Sequence, residues 1–378
     1  METIKKHILL LVFLLLPFTV LMMGIIHVSH HHAFILYMLL IVGAYLRNNY
    51  LFAFAGFVFL WQVFLFLFGI YNPRLPGIII GNGFATVIYI TAGLIVYVAT
   101  AKSKIRKETF FNIMCIASIF QALLAYSQWL FGVDPLAEIT SMFVATDHLL
   151  DIKVMIGSLG NPNFLAAFIA FTLPFFFRKR WVWVLPFLAI VLYQCMASSA
   201  TLPAIIGVGM FMWLEEENKL SSKLKNHYKY YIAAIALLIL IGYFAIDRAS
   251  IIHSERFTFW QLAVKQTSMF FPTFIFGMGP GAMWAKPFPL HSEWVSCFHQ
   301  FGLVGLGLFM LYVFSTMRKI KEKALMASFI IIIINFLANS ALHYAPTAFL
   351  ACMIAGLIER EVSWQSIRPS KIYTKRSV

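Results

Sequence analysis

The chain has 378 residues, of which 61% are hydrophobic and only 12% are charged. Soluble domains carry about 25% charged residues, so this composition excludes an ordinary soluble domain and predicts an integral membrane protein. The net charge of +14 does not indicate nucleic acid binding, because the basic residues gather in alternate loops between apolar segments. The four cysteines form no CxxC pair and lie in or beside apolar blocks, which predicts neither disulfides nor a zinc site.

The apolar residues come in blocks of the length that a bilayer requires, about 20 residues for a helix. We predict one all-α integral membrane domain over residues 1–378 with about twelve transmembrane helices. The N-terminal run "KKHILLLVFLLLPFTVLMM" is followed by no small-residue cleavage site, so we interpret it as a retained first span. The predicted spans are 8–26, 34–46, 50–70, 78–100, 109–131, 164–177, 181–198, 201–214, 230–246, 294–315, 325–342 and 347–358.

Lysine and arginine set the predicted orientation, because cytoplasmic loops carry an excess of both. On this assignment one set of loops, together with the termini, holds 23 of the 29 basic residues. Both termini are therefore expected in the cytoplasm. The six basic residues on the opposite, external side are Arg74, Lys153, Arg248, Arg256, Lys265 and Lys286.

Two long loops fall on the predicted external side, at 132–163 and 247–293. The second loop contains "RASIIHSERFTFWQLAVKQTSMFF", whose apolar residues recur at helical spacing. Such a helix is expected to lie along the membrane surface or against the bundle. The segment 362–378 is polar and basic, and we predict a disordered cytoplasmic tail there.

Candidate functional residues concentrate in the second loop. Arg256 and Trp260 are four residues apart and share a face if this piece is helical. The glycines of "FGMGPG" include Gly279 and Gly281, whose backbone N–H groups are suited to an anion-binding concavity. A plain turn explains the same glycines equally well.

The second loop ends in His291 and Glu293, directly before an apolar span. Glu293 is expected in the first turn of that helix, where the positive end of the helix dipole favours a carboxylate. A helix N-terminus is also a site for anions. The alternative is structural: Ser292 caps the helix and His291 is an interfacial histidine.

Further polar residues lie on the same predicted side. Asn161 and Asn163 flank a proline before a span, a pattern typical of a capped helix start. His343 follows the span that holds Asn335 and Asn339, two residues expected to serve helix packing. The histidines of "HVSHHH" have no complementary ligand pair at zinc-site spacing, so no metal site is predicted.

Three segments together resemble the O-antigen ligase and polymerase superfamily of bacterial membrane glycosyltransferases. "GNPNFLAAFIAFTLP" is similar to the family's Gly-x-x-Asn-Pro-Asn segment. "RFTFWQLAVKQTSMFFPTFIFGMGPG" is similar to its Arg-x-x-x-Trp helix and the glycine turn that follows. "HSEWVSCFHQFGLVGLGLF" is similar to its His-Asn-Glu motif before a Gly-Leu-x-Gly-Leu helix. The order of the three segments and their predicted location on one side make the combination more specific than each segment alone.

The resemblance implies a GT-C-like bundle that moves a glycan from an undecaprenyl-pyrophosphate carrier to a hydroxyl acceptor, with lipid A–core favoured. It implies inversion at the anomeric carbon, no metal and no cofactor. Arg256 would bind the pyrophosphate, assisted by Arg248 or Lys265. His291 would act as the general base, with Glu293 orienting it or holding the acceptor. The remaining residues expected at the substrate site are Trp260, Gly279, Gly281, Asn161, Asn163 and His343.

The chain also departs from the family. Ser292 replaces the usual asparagine, and Gln300 stands where a glutamate often occurs. "ASSATLPAIIG" offers Ser199 and Ala200 where the family often has Ser-Arg, so another cation would have to replace that arginine. Residues 1–130 match the family only in hydropathy.

Other functions stay open at this point. A polymerase or a protein O-oligosaccharyltransferase of the same family would use the same residues. A transporter or flippase also fits twelve spans, although transporters usually keep ionisable residues inside the membrane, where this chain has almost none. A structural partner in an envelope assembly is a third class.

Overall fold

The structure is a computed structural model. It describes residues 93–131, 155, 157–159, 161–177, 180–195, 197–216, 257–279, 282, 292–339 and 345–367. Within these ranges all regular structure is helical, as the sequence predicts.

Ten α-helices are described, and two short 3₁₀ turns, Gly157–Leu159 and Val182–Val184, precede α3 and α4. The α-helices are α1 (Gly93–Lys102), α2 (Lys107–Phe131), α3 (Pro162–Phe176), α4 (Leu185–Gln194), α5 (Ser198–Glu216), α6 (257–268), α7 (Phe271–Phe276), α8 (Glu293–Met317), α9 (Lys323–Ala338) and α10 (Ala345–Ile367).

Two of these helices are long and apolar enough to cross a membrane, by length and composition: Lys107–Leu130 in α2, and α8. Most of the other helices are apolar but shorter, including α3, α5 and α9.

Helix α3 is the centre of the bundle, because every residue from Leu165 to Phe176 is buried. It packs against α2, α5, α9 and α10. Phe175 stacks on Phe111 of α2 with ring centroids 4.6 Å apart. The hydroxyl groups of Ser118 and Thr172 lie 2.6 Å apart between the same two helices, so the polar atoms in this apolar core are paired.

Ion pairs join the helix ends on one side of the bundle. Lys107, at the start of α2, bonds Glu322 before α9 at 2.8 Å and also bonds Glu361 of α10. Lys319, after α8, bonds Glu359 of α10 at 2.8 Å. We call this the ion-pair end.

The opposite side of the bundle, which we call the loop end, holds the start of α3, α5, α8 and α10 and the finish of α2 and α9. Helices α5 and α9 run antiparallel, since Gly207 lies against Ile331 while the Nδ2 atom of Asn335 donates to the carbonyl of Ser199 at 2.7 Å. Asn335 therefore serves helix packing, as predicted.

The helices coincide with the predicted apolar segments at 109–131, 164–177, 201–214, 294–315 and 325–342 to within a few residues. The segment at 181–198 is instead a 3₁₀ turn followed by α4, which ends at Gln194. Helix α10 continues to Ile367, past the predicted finish at 358. The prediction of a disordered tail from 362 is therefore wrong for residues 362–367, which are helical. Glu359 and Glu361 of this extension bond Lys319 and Lys107. The segments at 8–26, 34–46, 50–70 and 230–246 lie outside the described residues.

Gly207 gives a test of the α5–α9 contact. A Cβ atom there would lie 2.1 Å from Cγ1 of Ile331, whereas one at Gly209 would meet nothing within 4 Å. We expect Gly207→Ala to lower the free energy of unfolding by about 1–3 kcal/mol through overpacking. The matched variant Gly209→Ala should leave it unchanged or raise it by up to about 1 kcal/mol. Thermal unfolding of the full-length protein in detergent measures both, and equal effects would contradict the packing.

Candidate functional site

The predicted site residues divide into two groups. Arg248, Arg256, Gly281, His291 and His343 lie outside the described residues. The five that the structure describes all lie at the loop end or on the segment 257–279, which packs against α8. They are Asn161, Asn163, Trp260, Gly279 and Glu293.

Helix α8 begins as the sequence predicts. Ser292 is its N-cap, and the Ser292 hydroxyl oxygen accepts a hydrogen bond from the backbone N–H of Val295 at 3.3 Å. The same hydroxyl lies 3.4 Å from the carbonyl oxygen of Phe336 in α9, to which it donates. Glu293 is the first helical residue and is only 4% exposed. A buried carboxylate at this position is stabilised by the positive end of the helix dipole.

Asn161 caps helix α3, which confirms the structural interpretation of "GNPN". Its Oδ1 atom accepts from the backbone N–H of Asn163 at 2.8 Å, and Pro162 occupies the first helical position. The turn before this cap is anchored to α2, where the side-chain amide of Gln128 exchanges two hydrogen bonds with the backbone of Gly157, at 2.8 and 3.0 Å. A role of Asn161 and Asn163 in substrate binding stays a prediction.

Helix α8 is broken at Gly302, which has φ 62° and ψ −160°. The break lies against a second glycine of left-handed φ, Gly277, at 81°. A Cβ atom on Gly302 would lie 2.4 Å from the carbonyl carbon and oxygen of Ile275, and one on Gly277 would lie 2.3 Å from the backbone of Gln300 and Phe301. The two backbones thus meet at a distance that only glycine permits.

The break frees carbonyl groups of α8, and the glycine turn satisfies two of them. The N–H of Met278 donates to the carbonyl of His299 at 2.8 Å, and the N–H of Gly279 donates to the carbonyl of Gln300 at 3.0 Å. The N–H of Gly277 donates to the carbonyl of Thr273 in the preceding helix, α7, at 2.7 Å. Buried backbone groups require such partners. We call this arrangement the glycine lock.

The glycine lock bears on the predicted anion site. The N–H groups of residues 277–279 are already bonded to carbonyls, so they are not free to cradle an anion in this conformation. The turn interpretation of these glycines is therefore the one that the described geometry supports. A substrate role of Gly279 stays a prediction, and it would have to use a group other than this N–H.

Helix α6 runs parallel to the first part of α8. Ala263 packs against Val295, and one turn later Oγ1 of Thr267 lies 2.8 Å from Nδ1 of His299. The Thr267 hydroxyl donates its hydrogen to the carbonyl of Ala263 at 2.8 Å, so it accepts from His299. His299 is then the tautomer with hydrogen on Nδ1, and its Nε2 atom carries a lone pair.

Trp260 belongs to α6, one turn before the Ala263 contact, and its ring meets Phe257 edge to face at 6.5 Å. Phe298 of α8 meets Phe274 of α7 in the same manner at 6.0 Å. The segment 257–279 is therefore fixed to α8 along its length by apolar, side-chain and backbone contacts.

Three buried polar atoms lie on α8 and α9 toward the loop end. Within the part of the chain that the structure describes, the Ser296 hydroxyl, Oδ1 of Asn335 and Nδ2 of Asn339 have no hydrogen-bond partner. Buried polar atoms usually have partners, so these three are candidates for bonds to groups beyond the described residues. Among the described residues, no group of three His, Cys, Asp or Glu could hold a metal ion.

Four residues that matter to this arrangement were not among the predicted site residues: Thr267, His299, Gly302 and Ser296. His299 and Gly302 lie inside a run that has the composition of one continuous apolar helix. A sequence signal for the break did exist, since Gly302, Gly305 and Gly307 recur within six residues, and glycine is unfavourable inside helices.

No known family model matches the chain. A search of curated proteins likewise finds no match.

Gly302 gives a test of the glycine lock. Gly302→Ala would place alanine in a left-handed backbone conformation that it disfavours. Its Cβ atom would also clash with the backbone carbonyl of Ile275. We expect the segment 257–279 to detach and become sensitive to protease, with a loss of about 1–3 kcal/mol or more in stability. Gly307→Ala is the matched control on the same helix, because a Cβ there meets nothing within 4 Å. Equal protease resistance of both variants would contradict the lock.

Proposed function

We propose that this protein is a polytopic membrane glycosyltransferase that transfers a glycan from an undecaprenyl-pyrophosphate carrier to a hydroxyl acceptor. On this proposal it has about twelve transmembrane helices in a GT-C-like bundle. It lies in the inner membrane of a bacterium, with the ion-pair end in the cytoplasm and the loop end facing the periplasm. An O-antigen ligase with lipid A–core as its acceptor is the favoured member of the class.

The observation that supports this proposal most is the attachment of segment 257–279 to α8. In the family that the chain resembles, these two elements carry the arginine and the histidine of the active site. In the sequence, Arg256 directly precedes the described residues of α6, and His291 directly precedes the Ser292 cap. Both described neighbours, Phe257 and Ser292, belong to elements that run side by side from the loop end.

The chemistry of transfer requires a cation and a base. The bond between the anomeric carbon and the phosphate oxygen breaks, and the pyrophosphate leaves with its negative charge. Arginine suits this charge because it stays protonated and binds phosphate through two N–H groups, so Arg256 is the proposed ligand. The acceptor hydroxyl forms the new bond to the anomeric carbon and gives its proton to His291, whose ordinary pKa lies near neutrality.

Glu293 supports this assignment by its location. It lies two residues from His291, is buried, and begins α8 at the positive end of the helix dipole. A carboxylate held in this way can orient a histidine or accept a hydrogen bond from a sugar hydroxyl. The hydroxyl of Ser296 and the amides of Asn335 and Asn339 have atoms without a partner among the described residues, and they are of the type that a glycan requires.

The replacement for the family arginine beside Ser199 is a further part of the proposal. Among the described residues at the loop end, Lys265 is the one lysine or arginine, and it is exposed. Arg248 and Lys265 are therefore the two proposed candidates for the second cation that binds the pyrophosphate. The alanine variant with the lower affinity for the donor would identify the residue that binds it.

Substitution of the two central residues tests the active site. We expect Arg256→Ala and His291→Ala each to reduce glycan transfer by about 100-fold or more, since loss of a general base costs 10²–10⁴. Arg256→Lys should retain part of the activity because it keeps the charge but loses the two-point contact. His253→Ala is the control from the same loop. The measurements are glycan transfer by each purified variant and the amount of each variant in the membrane. Normal transfer by His291→Ala would show that His291 is not the general base.

Deletion in the native host separates the possible reactions. Electrophoresis of lipopolysaccharide should show core without any glycan if the protein is a ligase. A single repeat unit on the core would indicate a polymerase, and an unchanged ladder would indicate a protein or another acceptor.

Solute uptake by the purified protein in liposomes, without glycan transfer, would instead favour a transporter.

A further inference from the structure

Three consecutive large apolar residues are exposed where α6 passes into α7. Met269, Phe270 and Phe271 are 64%, 65% and 78% exposed. Single exposed apolar side chains are ordinary, but a contiguous group of this kind marks a contact with a membrane or a partner. We call residues 269–271 the corner.

The exposed face of α6 is mixed, unlike the corner. Phe257 and Val264 are exposed, but the exposed polar residues Gln261 and Ser268 lie four residues after them and share their faces. The contiguous apolar surface is therefore confined to the corner.

The location of the corner along α8 indicates what covers it. Because α6 runs parallel to α8, the corner follows the Thr267–His299 contact in the direction of the ion-pair end. The neighbouring contacts, Phe274 with Phe298 and Ile275 with Gly302, place α7 beside the middle of α8. The exposed apolar surface of α8 begins at this level, with Leu303, and continues through Met310, Leu311 and Phe314.

The length of α8 sets the depth of the corner. Arg318 and Lys319 follow Met317 at the ion-pair end. A hydrocarbon core of about 30 Å corresponds to about 20 helical residues, which extend from Met317 back to about Phe298. The corner lies in the chain between Thr267, which bonds His299, and Ile275, which touches Gly302, so we place it at the boundary of the hydrocarbon region.

We propose that residues 269–271 insert into the lipid acyl chains of the leaflet at the loop end, and that this insertion anchors segment 257–279 at the membrane surface. The insertion rests on the membrane location of α8 but not on the glycosyltransferase assignment.

Site-directed spin labelling of the full-length protein tests the insertion. A nitroxide is attached to Phe270→Cys, and separately to Phe271→Cys, in vesicles of phosphatidylethanolamine and phosphatidylglycerol. Leu311→Cys on α8 is the control for lipid contact and Gln261→Cys on α6 is the control for water contact. The parent protein, whose cysteines are buried or half-buried, supplies the labelling background. Collision with oxygen, which partitions into hydrocarbon, is compared with collision with a water-soluble nickel chelate.

We expect labels at 270 and 271 to match the Leu311 label, with an oxygen-to-nickel collision ratio several-fold above that at Gln261. A ratio equal to that at Gln261 would show a corner in water and overturn the inference. Low collision with both reagents would show a corner covered by protein and would equally overturn it. A water-like result at Leu311 as well would refute the membrane location of α8, and the proposed function with it.

Discussion

The backbone contact between Gly277 and Gly302 is the constraint on which the candidate site depends. Helix α8 is interrupted at Gly302, and an interruption in an apolar environment leaves carbonyl groups that require donors. The glycine turn supplies them through the N–H groups of Met278 and Gly279. The segment that follows Arg256 is therefore attached to the helix that follows His291, and neither element keeps its geometry without the other.

The attachment is reinforced on both sides of the break. The Thr267–His299 hydrogen bond holds α6 against the first part of α8, and the Phe274–Phe298 contact holds α7. These contacts have little charge, in contrast to the ion-pair end, where Lys107 and Lys319 bond carboxylates of neighbouring helices. The described part of the molecule thus has a charged end, which ties the helices together, and a loop end where Ser292 and Asn161 cap α8 and α3.

Sequence reasoning predicted those features that depend on local chemistry. The apolar blocks predicted α2 and α8. Asn161 predicted the cap of α3, and Ser292 predicted the cap of α8. The break at Gly302 was not predicted, because a glycine in an apolar run is compatible with a continuous helix until a partner backbone is known. The same reason explains why the N–H groups of the glycine turn were assigned to an anion: their true acceptors, on His299 and Gln300, are more than twenty residues away in the chain.

Hydrogen exchange of the backbone amides of Met278 and Gly279 tests the central claim most directly. In the full-length protein in lipid nanodiscs, the account predicts that both amides exchange slowly, at rates comparable to those of the flanking turns of α8, because each is bonded to a buried carbonyl of α8. Exchange at the rate of an unstructured loop, while the amides of α8 stay protected, would contradict the attachment and the site that is built on it.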